Sequence, residues 1–290
     1  MKRRRVEVPP PGDVPDDTLP DCVKKGFDGQ LPKDRDFREG GPNHGPCKPC
    51  TRLLWFEPES IPKNFAAVLY GQRRTGKTTW LTWLLWSMQY DYDRVVCFSS
   101  TNFKGEFQKF MNPKLCFHRY EPHVMQAVLD VQAATPEAKR ERVLVILDDV
   151  LDSETEFRKR GDNPLVTCYS MGRHYNISVI MCTQYAKCIP TSWRRNVDFA
   201  VVFYTFSSDM ADIYYKEYGA LLGRSQFMSI LSQCTTGHQA LVIRPCTKSR
   251  QLQDFYQLTE APAEVPKFYI GKPPPEEIQE VKQPTGFPTF

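Results

Sequence analysis

No run of apolar residues in this chain approaches the ~18 that a membrane-spanning helix needs, so no such helix is expected. The basic start, Met1-Lys2-Arg3-Arg4-Arg5, imitates the opening of a secretory leader. Pro9-Pro10-Pro11 follows where a leader carries its apolar stretch. Charge of one sign is not in excess either. The 38 basic and 34 acidic residues leave a formal net charge of +4, which by itself demands no nucleic-acid partner. Internal repeats are missing, which argues against a solenoid or propeller. A disulfide framework is also not in view. There are 10 cysteines, but Cys97 and Cys182 sit inside apolar runs, where a thiol serves as a small hydrophobe. The expectation is a soluble intracellular protein in a reducing compartment.

What the chain does have is unevenly distributed. Its 24 prolines mark the two ends. Residues 1–50 are basic, rich in Pro, Gly and Asp, and poor in apolar side chains, so they read as largely disordered. The KRRR cluster there is either a nuclear-localisation or nucleic-acid arm or a solubilising terminus. His44, Cys47 and Cys50 form a C-x-x-C beside a histidine. Zinc needs four ligands and only Cys22 is available upstream, so two free thiols in a Pro-rich linker are the favoured reading. Residues 51–250 read as one domain of alternating strands and helices. Residues 251–290 read as a Pro-rich tail, either a disordered terminus or a docking peptide for a neighbouring subunit.

The centre of the domain is Asn64 to Leu84. A short apolar run, Phe65 to Tyr70, reads as a buried strand. Gly71-Gln72-Arg73-Arg74-Thr75-Gly76-Lys77-Thr78 follows, then Thr79 and a helical pattern from about Lys77 to Met88. G-x-x-x-x-G-K-T between a strand and a helix is the context of a phosphate-binding P-loop. Glycines let backbone N–H groups converge on an anion, and the helix N-terminus adds its positive dipole end. Lys77 would reach the β- and γ-phosphates of ATP, and the Thr78 hydroxyl would ligate Mg²⁺.

Further strands are expected at Arg94–Phe98, Leu115–His118, Val143–Leu147, Ile177–Cys182, Phe199–Phe203 and Ala240–Ile243. Helices are expected at Pro122–Ala134, within 152–171, at Asp209–Leu222 and at Arg224–Leu231. Continuous apolar strands separated by helices predict a mainly parallel sheet covered on both faces. Ligands of such sheets collect at the carboxyl ends of the strands. Asp148 and Asp149 end an apolar strand in the Walker B manner, Asp148 toward Mg²⁺ and Asp149 as general base. Gln184 ends the next strand, where an amide can bond both the γ-phosphate and the attacking water. Arg173 precedes that strand and suits an arginine finger, its planar fork matching phosphate. His174 beside it reads as structural. Arg194 and Arg195 are rival fingers or DNA-phosphate contacts. Arg158-Lys159-Arg160 lines a DNA channel or is a solvated helix face.

GQRRTGKT, VLVILDD, GRHYNISVIMCTQ and RRNVDFAVVF, in that order, resemble the FtsK–HerA superfamily of P-loop ATPases. Within it the GRH-x-x-IS-V-I-x-x-TQ string is most similar to the genome-packaging ATPases of large eukaryotic DNA viruses, virophages and Polinton-like elements. The resemblance spans about Phe65 to Phe203. It implies a RecA-like three-layer α/β sandwich with an extra strand between the P-loop and Walker B strands. It also implies ATP with Mg²⁺, and a homo-oligomeric ring that drives double-stranded DNA into a capsid. By motif position, Lys77, Thr78, Asp148, Asp149 and Gln184 carry over as site residues, and Arg173 as finger. A capsid or portal-vertex protein is the implied partner, and the virion or the viral assembly site in nucleus or cytoplasm the implied location. One departure is Asp149, where many cellular members carry Glu. The alternatives are a DNA helicase or replication-associated ATPase of the same superfold, and a monomeric P-loop switch or kinase.

Overall fold

Ala66-Ala-Val-Leu-Tyr70 has no polar side to offer to solvent, so it belongs in the interior of a sheet. A computed structural model of the chain puts it there; residues 53–101, 105–150, 163–249 and 251–273 are described. In chain order the elements are β1 (Leu54–Trp55), β2 (Ala66–Tyr70), α1 (Lys77–Ser87), β3 (Arg94–Ser99), β4 (Cys116–Phe117), α2 (Pro122–Ala134), β5 (Val143–Asp148), α3 (Pro164–Met171), β6 (Ile177–Thr183), α4 (Thr191–Arg194), β7 (Phe199–Val202), α5 (Ser208–Tyr218), α6 (Arg224–Cys234), β8 (Gln239–Ile243), α7 (Leu252–Phe255) and β9 (Tyr256–Glu260).

Among the described residues the strands form one sheet in the order β1-β9-β8-β7-β2-β6-β5-β3-β4. β2 runs parallel to both β6 and β7, and β5 parallel to β6 and β3. Only β8 runs against its neighbours β7 and β9. The extra strand expected between the P-loop and Walker B strands is therefore β6. All the parallel strands of the centre end at the same edge of the sheet, which gathers the loops after β2, β3, β5 and β6 there.

Successive side chains of a strand point to opposite faces. Val68, Tyr70, Val96, Phe98, Val145 and Leu147 fall on one face, which α2, α3, α5 and α6 cover through Met125, Leu165, Tyr214 and Phe227. Ala67, Leu69, Cys97, Leu144 and Ile146 fall on the other, which α1 covers with Trp80, Leu81, Leu84 and Leu85. Each of those three leucines contributes about 1.5–3 kcal/mol by leaving water. Trp80 Nε1 donates to Thr259 Oγ1 at 2.8 Å, which ties α1 to β9. The architecture is the expected three-layer α/β sandwich.

The carboxyl boundary at residue 250 is corrected by the structure. Residues 252–260 form α7 and β9, and β9 lies inside the sheet between β1 and β8. The prolines that suggested a tail begin only at Pro262, after the strand has finished its ladder. Beyond Glu260 the chain continues as a strap across the α1 face. Phe268 stacks on Phe110 at 4.8 Å and 22°, and Ile270 N donates to the Phe110 carbonyl at 2.8 Å. Gly271 turns in the left-handed region at φ 83°, and Lys272 Nζ pairs with Asp93 at 3.2 Å. Strand β1, which had no sequence signal, pairs with β9 at the sheet edge.

The KRRR cluster, the Cys22/His44/Cys47/Cys50 set, Arg158-Lys159-Arg160 and the last prolines lie outside the described residues. Among the described residues, no helix is long and apolar enough to cross a membrane.

Candidate nucleotide site

The loop after β2 is built by steric necessity. A Cβ on Gly71 would come 2.7 Å from Thr75 Oγ1 and 3.0 Å from Phe203 Cβ, so only glycine lets the chain leave the strand here. Arg74 and Gly76 adopt left-handed φ values of 67° and 91°, which fold the loop back before it enters α1. Gly76 caps α1 with no side-chain acceptor, so the amides of the first turn remain for an external anion. Lys77 is buried, while Thr78 and Thr79 are exposed on that first turn. Gln72 and Thr75 are half-buried, and Arg73 and Arg74 point to solvent.

The acids come from β5. Asp148 is 4% exposed and its Oδ2 accepts from Ser99 Oγ at 2.9 Å, from the end of β3. Burial pushes the Asp148 carboxyl above its usual range, against the opposing pull of Lys77 and Ser99. Asp149 sits at φ 49°, a left-handed turn that Asp tolerates better than most residues, and its N–H donates to the Cys182 carbonyl at 3.1 Å. That turn aims its carboxylate at the P-loop. Lys77 Nζ donates to Asp149 Oδ1 at 3.0 Å and Oδ2 at 3.1 Å, and Gln184 Nε2 donates to Oδ2 at 3.0 Å. Three motifs separate in sequence thus meet at one carboxylate.

The residues present fit a magnesium ion. The Thr78 hydroxyl and the Asp148 carboxylate are hard oxygen donors, and burial of Asp148 makes a nearby cation favourable. Among the described residues no cluster of three His, Cys, Asp or Glu could hold a metal alone. Mg²⁺ takes one or two protein ligands and completes its shell with water and phosphate.

The arginines separate. Arg173 is exposed in a short turn, Gly172–Tyr175, at the amino end of β6. β6 has 7 residues. At about 3.3 Å per residue, its own P-loop is roughly 20 Å away at the other end of the sheet. His174 beside it has an exposed ring, and its carbonyl accepts from Arg140 Nη1 at 2.6 Å. Arg194 is corrected as a finger candidate. Its guanidinium is buried and donates to the Ala186 and Ile189 carbonyls, to Thr191 Oγ1 and to Glu217 Oε1. It therefore staples the loop before β7. Arg195 is exposed and pairs with the other oxygen of Glu217 at 2.8 Å.

Sequence reasoning missed two neighbours of the site. Ser99 is at a parallel strand end, the position rule that found Asp148, and that signal would have found it. Glu106 lies close enough to disfavour the charged form of Asp148, and no local pattern marks it.

A P-loop on one strand, paired acids on the next strand but one and an amide on the strand between form the arrangement of a P-loop NTPase. The chain belongs to the family described as Poxvirus A32 protein, whose pattern matches residues 55–245. Uncharacterized protein 088R of invertebrate iridescent virus 3 is 24% identical over 213 residues, covering 70% of this chain and 79% of that one. Uncharacterized protein 015R of frog virus 3 is 22% identical over 180 residues; the match spans 61% of this chain and 55% of that relative. In fold the chain resembles the genome packaging NTPase B204 of Sulfolobus turreted icosahedral virus 2. The complex with ATP-gammaS gives a TM-score of 0.50 at 11% identity, covering 69% of this chain and 98% of that one. The complex with AMP gives 0.51 at 10%, covering 71% and 100%.

Proposed function

We propose that the protein is an ATP-driven motor that packages double-stranded viral DNA into a capsid, working as a homo-oligomeric ring. The observation that carries this reading is the Asp149 carboxylate held between Lys77 of the P-loop and Gln184 of β6. Family membership and the likeness to a packaging NTPase support it.

The residues suggest how hydrolysis proceeds. The amides of the loop and first turn of α1 receive the phosphates. A γ-phosphate competes with Asp149 for the Lys77 ammonium, because both are anions within reach of one cation. Released from Lys77, Asp149 keeps Gln184 as neighbour and faces the water that attacks. It takes the water's proton as the oxygen bonds to the γ-phosphorus and the bond to ADP breaks. Gln184 orients that water and senses which nucleotide is bound. Mg²⁺, held through Thr78 and Asp148, would neutralise charge on the β- and γ-oxygens.

The place of Arg173 supports a ring. Lying at the far end of its own sheet, an arginine finger there would reach a γ-phosphate in a neighbouring subunit. DNA contacts would go to the phosphate backbone, so affinity should fall steeply with salt and show little sequence preference. A capsid or portal-vertex protein is the expected partner. The test is the ATPase rate with and without double-stranded DNA, with oligomeric state measured in the same samples. Stimulation of a ring by DNA supports the motor; a monomer indifferent to DNA overturns it.

A further inference from the structure

β8 runs against β7 and β9, so its amino end lies at the edge where β2, β5 and β6 finish. The residue just before it is His238. Ala240 and Val242 pack on the α1 face, and side chains alternate along a strand, so His238 is directed to that face as well. There it meets the P-loop. A Cβ placed on Gly76 would stand 3.6 Å from His238 Nδ1.

The turn that delivers the ring is held in place. Thr235 is buried, and its hydroxyl donates to the Leu231 carbonyl at 2.7 Å. The Thr236 hydroxyl donates to the Gln233 carbonyl at 3.1 Å, and Gly237 turns at φ 68°. The ring of His238 is exposed, and among the described residues it makes no hydrogen bond or ion pair. An N–H donor with no partner there is thus set beside the loop that leaves its own amides open to an anion.

The sheet order decides which phosphate the ring can meet. Asp149 and Gln184 follow β5 and β6, on one side of the P-loop strand, and mark the γ-end. Glu106, which disfavours charge on Asp148, keeps the metal end on that same side. β7 and β8 lie on the opposite side of β2. A phosphate chain that begins at Asp149 and crosses the loop reaches His238 with the phosphate that bears the sugar.

We propose that His238 binds the α-phosphate of the nucleotide by donating an N–H to one of its non-bridging oxygens. An imidazole has an N–H to give whether neutral or protonated, and a hydrogen bond to an anion is of the stronger kind. The contact is remote from the bond that breaks, so it holds substrate and transition state alike. This inference rests on the ATPase reading above.

The test is calorimetric titration of the full chain with ATP, with ADP, and with ATP carrying sulfur for a non-bridging oxygen at the α- or the β-phosphate. His238→Ala is expected to weaken ATP and ADP alike by about tenfold, the scale of one hydrogen bond to a charged group. KM should rise by the same factor with kcat little changed, because the contact is made equally in ground and transition states. One diastereomer with sulfur at the α-phosphate should bind the parent severalfold more weakly than ATP, yet bind His238→Ala as ATP does. Sulfur at the β-phosphate should cost both proteins the same. Unchanged ATP affinity in His238→Ala overturns the assignment. So does a loss confined to ATP, which would put the ring at the γ-end, or an α-sulfur cost that survives in His238→Ala. Lys77→Ala separates this reading from the ATPase reading. Loss of ATP by Lys77→Ala with normal binding by His238→Ala removes only the α-phosphate contact. Normal ATP binding by Lys77→Ala removes the ATPase reading and this one with it.

Discussion

Lys77 Nζ lies 3.0 and 3.1 Å from the two carboxylate oxygens of Asp149, 72 residues further along the chain. The pair joins the P-loop lysine to the acid proposed above as the general base. Because Gln184 donates to the same carboxylate, any anion that draws Lys77 away also changes what Asp149 and Gln184 face. On the function proposed above, such a site would respond to the γ-phosphate rather than merely enclose it.

Lys77→Ala removes both the phosphate ligand and the cation that holds Asp149. Hydrolysis is expected to fall to background in a phosphate-release assay. Turnover near that of the parent protein would show that the P-loop is not the reacting site.

Asp149→Asn keeps the shape and removes the anion that competes for Lys77. ATP should bind at least as tightly as to the parent, while turnover falls by about 10²–10⁴, the usual worth of a general base. Calorimetry and a turnover assay on one preparation check both halves. A loss of ATP affinity would count against this role for Asp149.

The three arginines should behave differently. Arg194→Met leaves the buried Glu217 carboxylate with only the exposed Arg195 as a cation partner, and is expected to destabilise the fold by about 3–5 kcal/mol in a denaturant titration. Arg173→Ala should leave stability near that of the parent and poison activity when mixed with normal subunits. Activity falling only in proportion to the mutant fraction would move the finger elsewhere, with Arg195 the next to test.

Asp148 carries a pH signature. Its carboxyl is raised above the ordinary 3.8 chiefly by burial. Between 3.8 and the raised value the folded state holds a proton that the unfolded chain has lost. Stability therefore falls as pH rises through that window, and the loss persists at neutral pH. In the absence of nucleotide and magnesium, Asp148→Asn should melt higher than the parent at pH 7, with the gap shrinking as pH drops toward 4. A variant that melts lower at pH 7 would show that Lys77 and Ser99 outweigh burial.

The carboxyl boundary is open to truncation. A chain ending at residue 250 lacks β9 and its ladder to β8, leaves Trp80 Nε1 without its acceptor and uncovers Ile270's place on the α1 face. It should fail to give a cooperative melt. A chain ending at residue 273 keeps every described contact and should melt close to the full chain. Equal melts for both truncations would return β9 and the strap to the status of a tail.

The phosphate loop, the acid pair and the strand ending in Gln184 were legible because each is a contiguous signal. Glycines where a backbone must fold tightly, apolar runs where a strand is buried on both faces, and acids at a strand end all act over a few residues. The family resemblance implied one strand between the P-loop and Walker B strands, and β6 takes that place. Arg194 and Arg195 shared a dipeptide with nothing to tell them apart. The sheet buried one against backbone carbonyls and left the other in water.

By itself the sequence determined the local signals: a P-loop between a strand and a helix, two acids at one strand end and an amide at the end of the next strand. Tertiary structure alone decided which partners those residues take and where the domain ends. Trp80 meets Thr259 across 179 residues, and Phe110 meets Phe268 at a similar remove. Contacts of that range depend on strand pairing and on the covering of an apolar face. No local pattern encodes them, because the residues involved become neighbours only when the sheet has formed.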